Sequence, residues 1–244
     1  MLRVAQTGEV SARQQAMRAI AMIQPPEIMS AFTSGLQDAD GGVRRLASGG
    51  WMKAAAIPEE VIPALVEVLR DTEPQVRANA ANALARLDVL PAEAIPLLID
   101  CTSDPSDGLR MNAAMALKVA GPGAVGDVMR HLVGDVNLRI RLIAASCLLP
   151  ADPGNAEAGA VLMEALGHPA LRVRKAALEL VESLGTGGAA FLGGLKKRDG
   201  LEEEPELRDA LARLIERLAL PVGANPEPVA RPSDDGVGLS GLGC

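Results

Sequence analysis

An arginine recurs along this chain at a nearly constant interval. The arginines are separated by 31, 33, 33, 31, 33 and 34 residues and stand at Arg13, Arg44, Arg77, Arg110, Arg141, Arg174 and Arg208. Alanine stands three residues after six of the seven, and a large apolar residue stands seven residues after each of them. Together with the apolar residue that usually precedes the arginine, these positions form an i, i+4, i+8 stripe along one face of a helix. The sequence therefore predicts seven copies of one amphipathic helix.

A second apolar segment, about one short helix long, lies between successive arginine helices. Such segments occupy residues 28–36, 61–69, 94–101, 125–132 and 160–166. Proline lies in or just before the first turn of several arginine helices, where its missing N–H costs least. With one Trp, two Phe and no Tyr in the chain, Ala, Leu and Val must fill the core. A pair of short helices cannot bury its apolar faces alone, so neighbouring pairs are expected to stack into a solenoid.

One stretch carries the pattern of a known family. Asp71-x-x-x-x-Val76-Arg77-x-x-Ala80-Ala81-x-Ala83-Leu84-x-x-Leu87 resembles the HEAT repeat, particularly the short bacterial type of phycobilin-lyase-like proteins. The resemblance covers residues 9–219 and implies an all-α, right-handed α-solenoid of about seven HEAT-like helix pairs, with the second helices on the concave face. We expect the solenoid to span residues 1–220 and a disordered, Pro/Gly-rich tail to span residues 221–244.

The resemblance also implies that recurring Asp and Arg side chains bond between adjacent repeats. The residues that match this structural ladder are Asp38 with Arg44, Asp71 with Arg77, Asp104 with Arg110, and Asp135 with Arg141. Thr7, His168 and Glu202 take the acid position in the first, sixth and seventh units, so a weakened or altered ladder is expected there. The first unit also has little room for a first helix. We interpret the arginines as structural, because a buried stem with a paired head explains them without an anion ligand.

Positions one, five and eight after each arginine point away from the apolar stripe, because an α-helix turns about 100° per residue. We expect these positions to face the groove, where they are apolar in the middle units and charged in the last two. The predicted partner-binding residues are Met52, Met111, Met115, Lys118, Leu142, Ser146 and Leu149. Methionine suits adaptable binding of a helix or an extended peptide, because its unbranched side chain repacks easily.

The remaining composition argues against several kinds of site. Two histidines and three widely spaced cysteines predict no metal site, no cofactor, no disulfide framework and no nucleophilic triad. A formal charge of −7 argues against a nucleic-acid partner. The longest uncharged run, residues 183–195, is too short to span a membrane. Charged Glu9 comes too early for a secretory signal, so we expect a cytoplasmic protein.

The sequence leaves three functions open. We favour a noncatalytic scaffold or adaptor that binds another protein or a peptide on the concave face of the solenoid. The alternative is a phycobilin-lyase-like chromophore lyase or lyase subunit, although a tetrapyrrole favours basic and aromatic groups that this groove largely lacks. A HEAT-like DNA glycosylase is less favoured, because it needs a basic track and a catalytic acid.

Overall fold

The computed structural model describes residues 2–23 and 30–220. Within these ranges the chain forms fourteen α-helices and no strand. In chain order the helices are α1 Leu2–Thr7, α2 Val10–Ile23, α3 Ser30–Gly35, α4 Gly41–Lys53, α5 Ile62–Val68, α6 Pro74–Leu84, α7 Ala94–Cys101, α8 Asp107–Val119, α9 Pro122–Leu132, α10 Leu138–Leu148, α11 Ala156–Leu166, α12 Leu171–Ser183, α13 Leu192–Asp199 and α14 Pro205–Ala219. The predicted tail, residues 221–244, lies outside the described residues.

The helices form seven consecutive pairs, each with an odd-numbered first helix and an even-numbered second helix. Every second helix contacts the first helix of its own pair and the second helices of the neighbouring pairs, from α2 to α14. Substantial contacts join only helices of the same pair or of adjacent pairs among the described helices. The arrangement is the predicted all-α solenoid. The shortage of room expected in the first unit does not prevent a first helix, because the six-residue α1 fits before α2 and packs against α2 and α3.

The repeated apolar stripe forms a continuous core through the stack. Ala80, Ala113 and Ala144, each three residues after an arginine, have no exposed surface. Phe32 and Trp51 pack edge to face in the second unit, with ring centroids 6.2 Å apart. Gly50 lies so close to this pair that a Cβ atom there would sit 2.6 Å from the Phe32 ring. Small and aliphatic residues therefore fix the spacing of the units, as the shortage of aromatics predicts.

The stack contains two buried cysteines, and its described helices are short or polar. Cys101 and Cys147 are free and buried, and burial raises the pKa of both thiols. Of the described helices, none is both long enough and apolar enough to cross a bilayer.

Candidate interaction surface

Five of the seven repeated arginines bond to the ladder acid of the following unit. Arg44 donates from Nε to Oδ2 of Asp71 at 2.6 Å, and from Nη1 to the backbone oxygen of Asp38 in its own unit at 2.9 Å. The same cross-unit ion pairs are Arg13 with Asp38, Arg77 with Asp104, Arg110 with Asp135, and Arg174 with Glu202. The arginine therefore ties together its own turn and the next unit, so the ladder spans the interfaces between repeats.

Each ladder acid is also held by its own backbone. Asp71 accepts a hydrogen bond from the N–H of Glu73 at 2.9 Å, and Asp135 accepts one from the N–H of Asn137 at 2.7 Å. The hydrogen bond from Arg13 lowers the pKa of Asp38. Burial alone would raise the pKa of Asp71 and Asp135, but hydrogen bonds from the arginine and the backbone outweigh it, so the pKa of each is lowered.

The ladder changes at the sixth unit and not at the seventh. His168 stands at the acid position of the sixth unit, and Arg141 pairs instead with Glu164 on α11, whose side chain is 55% exposed. Glu202 accepts from Nε and Nη2 of Arg174 at 2.9 and 2.8 Å, and its side chain is only 1% exposed. The expected weakening at Glu202 is therefore wrong, because the longer acid reaches its arginine with both oxygens.

A second set of polar bonds joins α4, α6 and α8, on the surface formed by the second helices. Nδ2 of Asn79 donates to the backbone oxygen of Arg45 at 3.3 Å and to Oγ of Ser48 at 3.0 Å. Nδ2 of Asn112 donates to the backbone oxygen of Ala78 at 2.9 Å. Small residues at these contacts allow the helices to approach closely, and α4, α6 and α8 contact one another extensively.

The asparagine bonds stop after α8. The residues that correspond to Asn79 and Asn112 are Ile143 on α10 and Ala176 on α12, and neither side chain can donate a hydrogen bond. The contact between α10 and α12 is correspondingly sparse. The second helices therefore pack less closely beyond α8, where the asparagine hydrogen bonds end, and this leaves an opening in the surface.

A cavity of about 420 Å³ occupies this opening. It lies over α8, α10 and α12, and its apolar lining includes Met115, Val119, Leu142, Ile143, Ala176 and Leu180. Its polar lining consists of Lys118, Arg139, Ser146, Glu179 and Ser183. The hydroxyls of Ser146 and Ser183 donate to backbone oxygens of their own helices, each at 2.7 Å. The cavity therefore offers an apolar floor with a few charged groups at its edge.

Four of the predicted partner-binding residues meet at this cavity. Met115, Lys118, Leu142 and Ser146 all line it, although Leu142 is only 8% exposed. Met52 and Met111 are half-buried and lie outside the lining.

The prediction for Leu149 is wrong, because its side chain has no exposed surface. Leu149 is the C-terminal cap of α10, and its side chain belongs to the hydrophobic core. More generally, each inner second helix packs against a second helix on both sides, which leaves a narrower exposed arc than the helical rotation alone predicts. Ile143, Ala176 and Leu180 were missed as lining residues. Ile143 and Ala176 stand two residues after their arginines, and Leu180 stands six after its arginine. These positions are three and one residues from position five on the helix, so the sequence spacing could have predicted that they line the same surface.

The two charged groups at opposite sides of the cavity have no internal partner. Lys118 lies in the last turn of α8, where its charge interacts with the thiol of Cys147, and it makes no hydrogen bond or ion pair with any described residue. Burial lowers the pKa of this lysine. Glu179 is exposed on α12 and is likewise unpaired within residues 2–23 and 30–220. Both charges are available to a bound molecule.

Comparison with known proteins identifies the repeat. The family model for HEAT repeats matches residues 50–118 and 95–185, which together span more than half of the chain. No curated protein matches the chain in sequence.

Solved structures share the fold at low identity. The complex of CpcE and CpcF of phycocyanin lyase from Nostoc sp. PCC7120 is 17% identical, with 89% of this chain and 92% of that chain covered and a TM-score of 0.58. A designed armadillo repeat protein in complex with the peptide (KR)4 is 18% identical, with coverage of 75% and 97% and a TM-score of 0.55. An archaeal HEAT-like repeats protein from Thermococcus onnurineus NA1 is 14% identical, with coverage of 83% and 95% and a TM-score of 0.51. The chain belongs to the HEAT-repeat family.

Proposed function

We propose that this protein is a noncatalytic interaction module that binds another protein or a peptide on its second-helix surface, over α8, α10 and α12. The observation that carries the proposal is the apolar cavity of about 420 Å³ that opens on this surface. A cavity of this size accommodates one or two large apolar side chains, and burying such anchors supplies much of the energy of a protein interface. Met115 suits this role because its side chain adapts to different occupants.

The rest of the solenoid supports the proposal by keeping the cavity in shape. The ladder holds successive units in register, and the asparagine bonds hold α4, α6 and α8 together. A preorganised surface loses little conformational entropy on binding, which favours affinity. The designed armadillo repeat protein, which shares the fold, carries a peptide. We place the activity in the cytoplasm, in keeping with the free thiols of Cys101 and Cys147.

A photocrosslinking residue at Ser146 tests the proposal. Ser146 lines the cavity and is partly exposed, so p-benzoylphenylalanine there is expected to capture the physiological partner in cells. The same residue at Glu157, which is exposed on the first helix α11, is the control. We expect capture from position 146 and not from 157, and we expect Met115→Asp to abolish it. Met22→Asp is the matched change, since Met22 is 88% exposed on α2. Equal capture from both positions would contradict the proposal.

A chromophore lyase subunit is the second candidate. It is favoured by the fold shared with the phycocyanin lyase complex and by the presence of Lys118 and Arg139 beside an apolar cavity, since cations suit the propionates of a bilin. The test is an absorbance titration of the purified protein with a free bilin. A spectral shift that Lys118→Met removes would favour the lyase reading, and an unchanged spectrum would count against it.

A further inference from the structure

The charges around the cavity have opposite signs on its two sides. Lys118 stands at the α8 side and Glu179 at the α12 side, with α10 between them. Arg139 also lines the cavity but lies at the start of α10, whereas Lys118 lies at the end of α8. An occupant that crosses from the end of α8 to the middle of α12 therefore meets a cation first and an anion second.

The same change of sign continues beyond the cavity. Toward the N-terminus, Arg18 on α2 and Arg45 on α4 are exposed at positions five and one after their ladder arginines. Toward the C-terminus, Glu182 on α12 and Glu216 on α14 are exposed at position eight. Two bases also lie at this end: Lys175, which is paired with Glu206 at 3.6 Å, and exposed Arg213 on α14, which stands four residues after exposed Asp209. The exposed acids still outnumber them. The second-helix surface is thus basic at one end, apolar in the middle and acidic at the other end.

Building on the proposed function, we propose that the occupant is a segment of another protein in which a large apolar residue lies between an acidic residue and a basic residue. The apolar residue fills the cavity, the acidic residue pairs with Lys118, and the basic residue pairs with Glu179. A small amphiphilic acid would satisfy Lys118 and leave Glu179 unpaired. A peptide segment carries both charges, so the two-sided charge pattern favours a peptide.

The spacing of the helices limits the distance between the two charged residues of the occupant. Adjacent packed helices lie about 8–10 Å apart, and the contact between α10 and α12 is the looser one, so α8 and α12 are separated by at least about 16–20 Å. The side chains of Lys118 and Glu179 shorten that span, and an extended chain rises about 3.3 Å per residue. The acidic and basic residues should therefore lie about three to six residues apart, with the apolar residue between them. An acidic residue beside Lys118 would also favour its charged form, which burial disfavours.

The probe for the test is a displayed library of random twelve-residue peptides, selected on the full chain. Selected peptides are synthesised with a fluorophore, and their affinity is measured by anisotropy. We expect the selected sequences to share the acidic, apolar, basic order in either chain direction. Lys118→Glu and Glu179→Lys should each weaken binding about five- to tenfold, because each places a like charge opposite the peptide. The double variant should recover most of the affinity, because it exchanges the two signs and the peptide can bind in the opposite direction.

Matched variants separate the site from general charge effects. Lys53→Glu changes a lysine in the last turn of α4, as Lys118 lies in the last turn of α8, and Glu157→Lys changes an exposed acid on α11. Both should change affinity less than about twofold. Circular dichroism checks the fold of each variant. If Lys118→Glu unfolds the protein, Lys118→Met takes its place, and it should still weaken peptides that carry the acid.

The outcomes distinguish this inference from the proposed function. Peptides that lose binding to Met115→Asp, but lack the charge order and ignore Lys118→Glu, would overturn the inference and leave the proposed function standing. Peptides that bind Met115→Asp as well as the wild type, or a selection that yields no binder, would overturn both.

Discussion

Replacing Arg110 by methionine tests whether the ladder stabilises the stack of repeats. Arg110 donates from Nε and Nη2 to the two oxygens of Asp135, at 2.9 and 3.2 Å, and from Nη1 to the backbone oxygen of Asp104 at 2.9 Å. Its side chain is 11% exposed and that of Asp135 is 8% exposed. Methionine keeps most of the aliphatic stem and removes the charge, so the change isolates the bonds from the packing.

The expected loss follows from the burial of this pair. A hydrogen bond to a charged group contributes about 1.5–3 kcal/mol, and removing one partner of a buried ion pair costs about 3–5 kcal/mol. Asp135 keeps its bond from the N–H of Asn137, which offsets part of that cost. We therefore expect Arg110→Met to lower the free energy of unfolding by about 3 kcal/mol. At about 2–4 °C per kcal/mol for a chain of this size, the melting temperature should fall by about 6–12 °C.

The control is Arg70→Met. Arg70 pairs with Glu67 at 2.7 Å, but the two side chains are 57% and 71% exposed. Exposed pairs contribute about 0–1 kcal/mol, so this variant should melt within about 4 °C of the wild type. Thermal and urea unfolding followed by circular dichroism provide the measurement. An Arg110→Met variant no less stable than Arg70→Met would refute the structural reading of the ladder.

Three further changes test the physical basis of the fold. Four ladder acids have a lowered pKa in the folded chain: Asp38, Asp71, Asp135 and Glu202. Their stabilising contribution is therefore complete above the unfolded pKa, about 4, and is lost as the pH falls through the folded values. The urea concentration at the unfolding midpoint should decrease as the pH is lowered from about 5 to about 3. The decrease should be less steep for Arg110→Met than for the wild type. Gly50→Ala should lower stability by about 1–3 kcal/mol, because its Cβ would lie 2.6 Å from the Phe32 ring. Gly123→Ala, on α9 where a Cβ meets nothing within 4 Å, should be neutral or stabilising in the same melt. Asn112→Ala should cost about 1 kcal/mol through the lost bond to Ala78 and speed amide exchange in α6 and α8, and unchanged exchange would argue against the asparagine hydrogen bonds.

The sequence predicts the stack because the period and the apolar stripe describe contacts that every unit repeats. The position of Arg77 recurs in all seven units and that of Ala80 in six of them, so one helix predicts the others. The acid that bonds each arginine also follows the repeat, except where His168 stands in its place.

The cavity is harder to predict because it depends on differences between units. It opens where the bulkier Ile143 replaces a bonding asparagine, and the rotation of a single helix does not show how close the next helix lies. The same limit explains Leu149, which the rotation directs outward but which is buried in the hydrophobic core. Glu164 takes the place of the absent acid as the partner of Arg141. This pairing depends on how far a side chain reaches from a different helix, and a periodic sequence pattern carries no such information.

Methyl NMR of the full chain with labelled methionines tests most directly whether the cavity is the binding site. Met115 lines the cavity, Met22 is exposed on α2, and Met163 lies on α11 against Gly194. On titration with a selected peptide, the Met115 methyl signal should shift or broaden to saturation at the measured affinity, while those of Met22 and Met163 stay in place. A bound peptide that leaves the Met115 signal unchanged would contradict the account.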